Sequence, residues 1–384
     1  MSFGGKVSSE KSLPKKTGLI TLPASTNISL TTKPYHVFGV RGKIRDNVDY
    51  ISETKLVYPV GKRICTYSIE KKKTEFIDLH SDVEEVVGLT VAPNRKRIAC
   101  CELSSAENGT KTTDSTATTT TATTNITEGK EGAHQATSPR GGLNPKNLKS
   151  QVSVYHALQG VHLRTLSLPN MKGIFTNCAF TSDNKFLIAI GSAPDYKLVY
   201  WKWSNMKMIS SVSMSSQATR IRMNPNNSAQ ITTSGPNHLK LWTLEKDLSL
   251  KCSSLLPQKK EKAEVFVDHA WTKIGSTNNE GGENHGFILT ATEKGVILVL
   301  QLNEEGHSEI RQTINLFAAT RHAHHHQKIH TIQSYAKGFV VGGSNGYFAV
   351  YEQTDDQKDP FLPIRAFETN EKDTLTTVGE YFEQ

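Results

Sequence analysis

Five histidines, His322, His324, His325, His326 and His330, crowd the segment RHAHHHQKIH and make it the most metal-capable stretch of the chain. Imidazoles at that spacing could bind a transition metal, but a zinc site needs ligands fixed by rigid elements and held by outer hydrogen bonds. The run falls where a loop is expected between two strand groups, so it reads as a solvated linker and no metal is expected there. Asp268 and His269 form the other suggestive pair, an acid beside an imidazole just ahead of Trp271. No Gly-x-Ser-x-Gly, phosphate loop or paired carboxylates accompany them, so the expectation is a core histidine hydrogen-bonded within the fold. Cys65, Cys100, Cys101, Cys178 and Cys252 are odd in number, form no CxxC pair, and in four cases sit inside apolar strand patterns. They are expected to be buried, reduced thiols. No catalytic residue, cofactor site or metal site follows from these groups, and the chain reads as a non-enzyme.

The elements that would carry such residues repeat. Six copies of an apolar strand, a small-residue or Gly/Pro turn and a second strand begin at Lys55, Lys96, Lys185, Ala229, Gly286 and Gly338, as in KLVYPVGKRICTYSIE and GFILTATEKGVILVLQL. One hairpin cannot bury both of its faces, so the copies must stack on one another. Ahead of each copy lies an alternating strand expected to be innermost: Val48–Ile51, Val86–Ala92, Asn177–Thr181, Thr219–Asn224, Phe266–Lys273 and Ile329–Tyr335. The spacing, roughly 40 to 50 residues without insertions, is that of four-stranded propeller blades. VAPNRKRIA, FTSDNKFLI and MNPNNSAQI carry a turn signature typical of WD-repeat proteins, with Asn or Asp expected at the left-handed position. The Trp-Asp ending is mostly missing; aromatics at the ends of the third strands, such as Trp203, Trp242, Tyr155 and Tyr351, read as blade-to-blade packing. Helical periodicity is weak, and the fold class expected is all-β: a WD-repeat β-propeller of six complete blades plus parts of a seventh.

The parts of the seventh are Tyr35–Arg41, read as an isolated outer strand, and Asp373–Gln384, read as an isolated inner strand. Closure by strands from both chain ends would remove exposed sheet edges. About two more strands, roughly 12 to 20 residues, would then follow Gln384, so the chain is expected to stop short of a natural boundary. The domain reading is a basic flexible arm over residues 1–34 and a propeller over 35–384. Residues 104–150, rich in Thr, Ala and Gly, are expected to form a disordered insertion in blade 2.

Hydrophobic residues make up 36% of the chain and the formal net charge is +8. Runs of about 18 apolar residues are absent, and the N-terminal stretch MSFGGKVSSEKSLPKK lacks the apolar region of a secretory signal, so a cytosolic-type protein without membrane contact is expected. The first 34 residues hold Lys6, Lys11, Lys15, Lys16 and Lys33 against the single acid Glu10. Such an arm suits an acidic polymer, and Lys11, Lys15, Lys16, Lys33 and Arg41 are the candidate partner-binding residues.

The order HVFGVR, KLVYPVGKRICTYSI, LTVAPNRKRIACCEL, NCAFTSDNKFLIAIGSAPDYKLVYWKW, DHAWTKIG and SYAKGFVVGGSNGYFAVYE resembles the N-terminal propeller of the cilia- and flagella-associated protein 57 family, axonemal WD-repeat proteins. The likeness runs from Tyr35 to the C-terminus apart from the Thr-rich insertion. It implies a non-catalytic scaffold of the cytoskeleton in the cilium or flagellum, lying on doublet microtubules and contributing to inner dynein arm docking or regulation and to ciliary motility. The implied partners are tubulin, inner dynein arm subunits and the nexin-dynein regulatory complex. This chain departs from the family plan in lacking the second propeller and the coiled coil, so self-association and dynein docking through a coiled coil are expected only of a longer polypeptide. The alternative reading of the basic arm is a nucleolar WD-repeat scaffold in pre-ribosomal RNA processing. Against nucleic acid, the aromatics lie at strand ends and are not interleaved with Arg and Lys as a base-stacking platform.

Overall fold

The computed structural model describes residues 44, 46–105, 148–256, 264–272, 286–303, 306–317, 328–356 and 358–368. The chain divides into Met1–His36 and Val37–Gln384, and every described residue belongs to the second unit. The predicted basic arm with Lys11, Lys15, Lys16 and Lys33, the entry strand with Arg41, the C-terminal strand and the run His322–His326 all lie outside the described residues.

Among the described residues, twenty-four strands form six four-stranded antiparallel meanders in chain order. Blade 1 holds β1 (Asp49–Ser52), β2 (Lys55–Val60), β3 (Arg63–Ser68) and β4 (Lys73–Ile77); blade 2 holds β5 (Val83–Val91), β6 (Arg97–Ser105), β7 (Leu148–His156) and β8 (His162–Leu166). Blade 3 is β9 (Phe175–Phe180), β10 (Leu187–Gly191), β11 (Lys197–Lys202) and β12 (Lys207–Ser213), and blade 4 is β13 (Arg220–Met223), β14 (Gln230–Gly235), β15 (His238–Leu244) and β16 (Leu250–Ser254). Blade 5 comprises β17 (Phe266–Trp271), β18 (Phe287–Thr292), β19 (Val296–Leu302) and β20 (Ser308–Asn315), and blade 6 comprises β21 (Ile329–Tyr335), β22 (Gly338–Gly343), β23 (Tyr347–Gln353) and β24 (Phe361–Glu368). Each predicted hairpin and each predicted inner strand is found, and a register shift interrupts the pairing of the first two strands in every blade but the fourth.

Burial explains the sequence pattern blade by blade. Inner and middle strands sit between two neighbouring sheets, so β10 (LIAIG), β17 (FVDHAW) and β18 (FILTAT) are buried at every position. They therefore read as continuous runs. The outer strand β20 (SEIRQTIN) has one partner face and alternates between half-buried and exposed. An apolar layer fills each successive blade pair: Ile51, Val57 and Ile98 between blades 1 and 2; Val152, Phe175 and Trp201 between 2 and 3; Tyr200, Ile221 and Trp242 between 3 and 4; Leu241, Phe266 and Ile288 between 4 and 5; Leu289, Phe339 and Phe361 between 5 and 6. Aromatic pairs reinforce the layers edge to face, as Phe175 and Trp201 do with ring centroids 5.4 Å apart. No single blade could bury these faces alone, which is why the repeat specifies a ring.

The turns refine the expectation for the left-handed position. In the turn after β9, Asn184 takes it, with φ 59°. In the turn after β5 it is Arg95, at φ 55°, while the Asn94 side chain accepts a hydrogen bond from the Lys96 amide (3.1 Å). The turn after β13 has no left-handed residue; Asn224 and Asn227 instead accept from the amides of Asn226 and Ala229. Asx bonding is thus common to all three corners, and a left-handed residue joins it in two of them. Gly338, which opens its copy, is required by close approach: a Cβ there would collide with the Tyr351 carbonyl oxygen.

The edges of the Thr-rich segment are more ordered than its composition suggests. β6 runs to Ser105 and β7 starts at Leu148, and the two are paired to their ends, Ser105 opposite Leu148. Both ends of the predicted 104–150 interruption are thus ladder, because strand hydrogen bonds need no apolar side chains; residues 106–147 lie outside the described set. Among the described residues, no helix is long and apolar enough to cross a membrane.

Candidate functional site

The inner strands carry more charge than their sequence suggests. β13 presents Arg220 and Arg222 on one face, two residues apart, and the segment before β1 brings Asp46 to them. Arg220 donates from Nη1 to Asp46 Oδ2 at 2.6 Å; Arg222 donates from Nη1 to the same oxygen (2.9 Å) and from Nη2 to Oδ1 (3.2 Å). Asp46 belongs to the approach to blade 1 and the arginines to blade 4, so this bridge spans the centre of the ring. From the neighbouring blade, Asp268 of β17 completes the network, its carboxylate 3.3 Å from Arg220 Nη2 and 3.4 Å from Arg222 Nη2. Arg220 Nε also lies 3.3 Å from Asp268 Oδ1, close enough for ion pairing but off the angle for a hydrogen bond.

Asp268 and Arg220 are both fully buried, whereas Asp46 and Arg222 keep about a quarter of their side-chain surface exposed, at 25% and 23%. A buried carboxylate is tolerable only if its oxygens are filled. Those of Asp268 also accept from Thr331 Oγ1 and the Ile332 amide, both at 3.2 Å, and from the His269 amide at 2.9 Å. One side chain thereby ties blades 4, 5 and 6. Burial works against the Arg222 charge, but Asp46 and Asp268 outweigh it and hold the guanidinium above its usual range.

His269 is the core histidine expected from the sequence. Its Nδ1 lies 2.8 Å from Ser234 Oγ and its Nε2 2.8 Å from Thr232 Oγ1, and Thr232 also accepts from Trp271 Nε1 (2.8 Å). The next residue repeats the arrangement on the other face of β14: Thr233 accepts from Trp242 Nε1 (2.9 Å) and bonds His238 Nε2 (2.7 Å), whose Nδ1 meets Ser216 Oγ (2.7 Å). Adjacent threonines point to opposite faces of a strand, so Thr232 and Thr233 each receive one tryptophan and one histidine. Burial, aided by Arg222, pushes His269 well below its ordinary value, and burial, aided by Lys240, pushes His238 down to about 4. Both rings are neutral with both nitrogens occupied, and both carboxylates face guanidinium groups. This is the chemistry of a structural pin.

Asp49, partly buried on β1, is held away from its charged form. Burial raises it to about 6 and the nearby Asp46 adds to the rise, against the Tyr50 amide (2.7 Å) and the more distant Arg95 and Arg222. Its charge at neutral pH is therefore a cost to folding. Asp49→Asn is expected to raise stability by about 1 kcal/mol near pH 7.5 and to change little near pH 4, where the native carboxyl is already protonated. Urea unfolding at the two pH values reads the difference; equal effects at both would contradict it.

Blade 2 contains a second buried acid. Glu102 of β6 accepts from Ser153 Oγ (2.5 Å), Tyr155 Oη (2.7 Å) and Gln151 Nε2 (3.4 Å), and burial raises its carboxyl above the usual range. Tyr155 thus does more than pack. Of the cysteines, Cys65, Cys100, Cys101 and Cys178 are buried and Cys252 is exposed; burial pushes Cys65 up to about 11 and, with nearby acidic and thiol groups, holds Cys100 above its usual range. Such thiols are poor nucleophiles. His330 bonds Ser344 Oγ through Nε2 (2.9 Å), and among the described residues no cluster of three or more His, Cys, Asp or Glu is placed to hold a metal ion.

These features define an all-β protein of the WD40-like β-propeller class. A crystal structure of a mitotic checkpoint complex contains a chain that matches it with a TM-score of 0.56, covering 96% of this chain and 92% of that one at 9% identity, a likeness of fold alone. In sequence, mouse cilia- and flagella-associated protein 57 is 21% identical over 357 residues, which is 86% of this chain and 25% of that protein. Mouse cilia- and flagella-associated protein 44 is 30% identical over 66 residues, 17% of this chain and 4% of the relative. The chain therefore spans about a quarter of the longer match and is distantly similar to it over most of its own length. No protein-family model matches the chain.

Proposed function

We propose that this chain is a non-catalytic adaptor of the ciliary or flagellar axoneme that lies on doublet microtubules and contributes to inner dynein arm docking or regulation. The observation that carries the reading is the similarity to cilia- and flagella-associated protein 57 across 86% of the chain. The inner-strand chemistry supports it: the titratable groups are spent on one another, so recognition falls to turns and rim. The partners in this reading are tubulin, inner dynein arm subunits and the nexin-dynein regulatory complex, with Lys11, Lys15, Lys16, Lys33 and Arg41 contacting acidic tubulin surfaces. Fluorescent tagging in a motile ciliated cell tests it. The tagged protein is expected along the axoneme and to remain there after detergent removes the membrane; a nucleolar or diffuse signal overturns the proposal.

A further inference from the structure

Strand direction sorts the turns of every blade. In an antiparallel meander the turn between the first and second strands and the turn between the third and fourth leave at the same end of the sheet. Blade 3 displays the pairing directly: Trp203, in the turn after β11, donates from Nε1 to the Asn184 carbonyl in the turn after β9 (2.9 Å). Blade 2 joins the same end, because the Asn94 amide donates to Asn184 Oδ1 (3.1 Å) and Arg97 lies 4.7 Å over the Trp203 ring.

At this end the outer turns of blades 1 to 4 expose apolar side chains. Ile69 stands on the turn after β3, Leu158 and Val161 after β7, Met206 and Met208 flank the turn after β11, and Leu248 stands after β15, with exposures from 42% to 56%. Among the described residues these are six of nine exposed large hydrophobics, so apolar exposure is concentrated on four homologous turns instead of scattered. Lysines frame them: Lys71 and Lys72 beside Ile69, Lys202 and Lys207 beside the methionines, Lys246 and Lys251 beside Leu248. Among the described residues none of these six ammonium groups has an ion-pair partner, whereas Lys55, Lys62, Lys185 and Lys328 are paired with Glu75, Glu84, Asp183 and Glu293. Lys202, Lys207 and Lys251 belong to the strands that flank the turns; the turns themselves hold Lys71, Lys72 and Lys246 with Glu70, Glu245 and Asp247, of which Asp247 is engaged by Ser249. The equivalent turn of blade 6 is more acidic, with Asp355, Asp356 and Asp359 against Lys358.

We infer that this end of blades 1 to 4 is a docking surface for an acidic protein segment carrying aliphatic side chains between its carboxylates. Unpaired lysines select the acidic partner, and four apolar knobs reward one that brings its own apolar groups. Nucleic acid fits less well: bases stack on aromatic rings, and the exposed set here is Ile, Leu, Val and Met. The two methionines add a surface that adapts to differing side chains. The inference goes beyond the adaptor reading and needs no axonemal partner.

The test is a fluorescence-anisotropy titration of the full chain with a labelled peptide of about 20 residues, Glu-rich with Leu at every third or fourth position. The comparators are the same peptide with Leu replaced by Ser and a single-stranded RNA of equal length. Binding of the Leu-containing peptide is expected, weakened about tenfold or more by the Ser peptide, by Leu158→Ser with Met206→Ser and Met208→Ser, and by Lys202→Glu with Lys207→Glu and Lys246→Glu. The substituted side chains are exposed, and an unchanged unfolding midpoint verifies that each variant is folded. No peptide binding, equal binding of the Ser peptide, RNA binding as tight as the peptide, or folded variants that bind like the parent would each overturn the inference. An axonemal protein that fails this test remains an axonemal protein, and a peptide-binding protein found outside the cilium keeps its docking surface.

Discussion

Asp268→Ala is expected to lower the unfolding free energy by about 3–5 kcal/mol, the range for removing one partner of a buried ion pair. Its carboxylate is fully buried, pairs with Arg220 and Arg222, and also accepts from Thr331, Ile332 and His269. Truncation strands the Arg220 guanidinium, itself fully buried, with Asp46 as its remaining carboxylate partner among the described residues. Asp268→Leu combined with Arg220→Met should cost much less than the sum of the two single changes, because it removes both fully buried charges together and leaves Asp46 and Arg222 paired with each other. High salt should leave the single-mutant loss nearly unchanged, since buried pairs are weakly screened. Chemical denaturation of the single and double variants reads all three quantities. Additive losses, or a loss below about 1 kcal/mol for Asp268→Ala, would mean that the network is peripheral to stability.

That network shows where sequence reading stops. Strands were legible because each blade imposes the same burial on corresponding positions, so KLVYWKW and GVILVLQL announce themselves locally. The fate of His269 was legible too, because a histidine inside FVDHAW has nowhere to go but the core. Arg220 and Arg222 gave a weaker sign, two arginines at alternate positions of a strand expected to be innermost. Their partner Asp46 lies 174 and 176 positions away, and no local periodicity links such residues. The sign that could have found them is the charge itself: an arginine on an inner strand must meet a carboxylate, and the acids near inner strands are few. Glu102 escaped for the same reason, its acidity hidden in an otherwise apolar RIACCEL run and answered by Ser153 and Tyr155 across the blade.

The consequences extend to pH. His238 is expected to cost the folded protein about 2 kcal/mol of stability between neutral pH and about pH 4.5. His238 has an ordinary value of 6.5 and a folded value of about 4, so between these limits the unfolded chain binds a proton that the folded chain refuses. Stability is therefore complete above about 6.5 and falls as pH drops toward 4. Buried His269 moves in the same direction, with burial again the first cause. Asp49 opposes them: its folded value of about 6 stands above the ordinary 3.8, so the native state gains a proton first and recovers part of the loss as pH falls. Glu102, also raised by burial, acts in the same sense as Asp49, so the histidine share is isolated by substitution. His238→Gln removes one titrating ring and is expected to flatten the slope by about 2 kcal/mol across the window, whatever constant cost the new side chain brings at neutral pH. Unfolding free energies measured by denaturant titration at several pH values separate slope from offset, and a His238→Gln slope equal to that of the parent would show that His238 does not stay neutral in the fold.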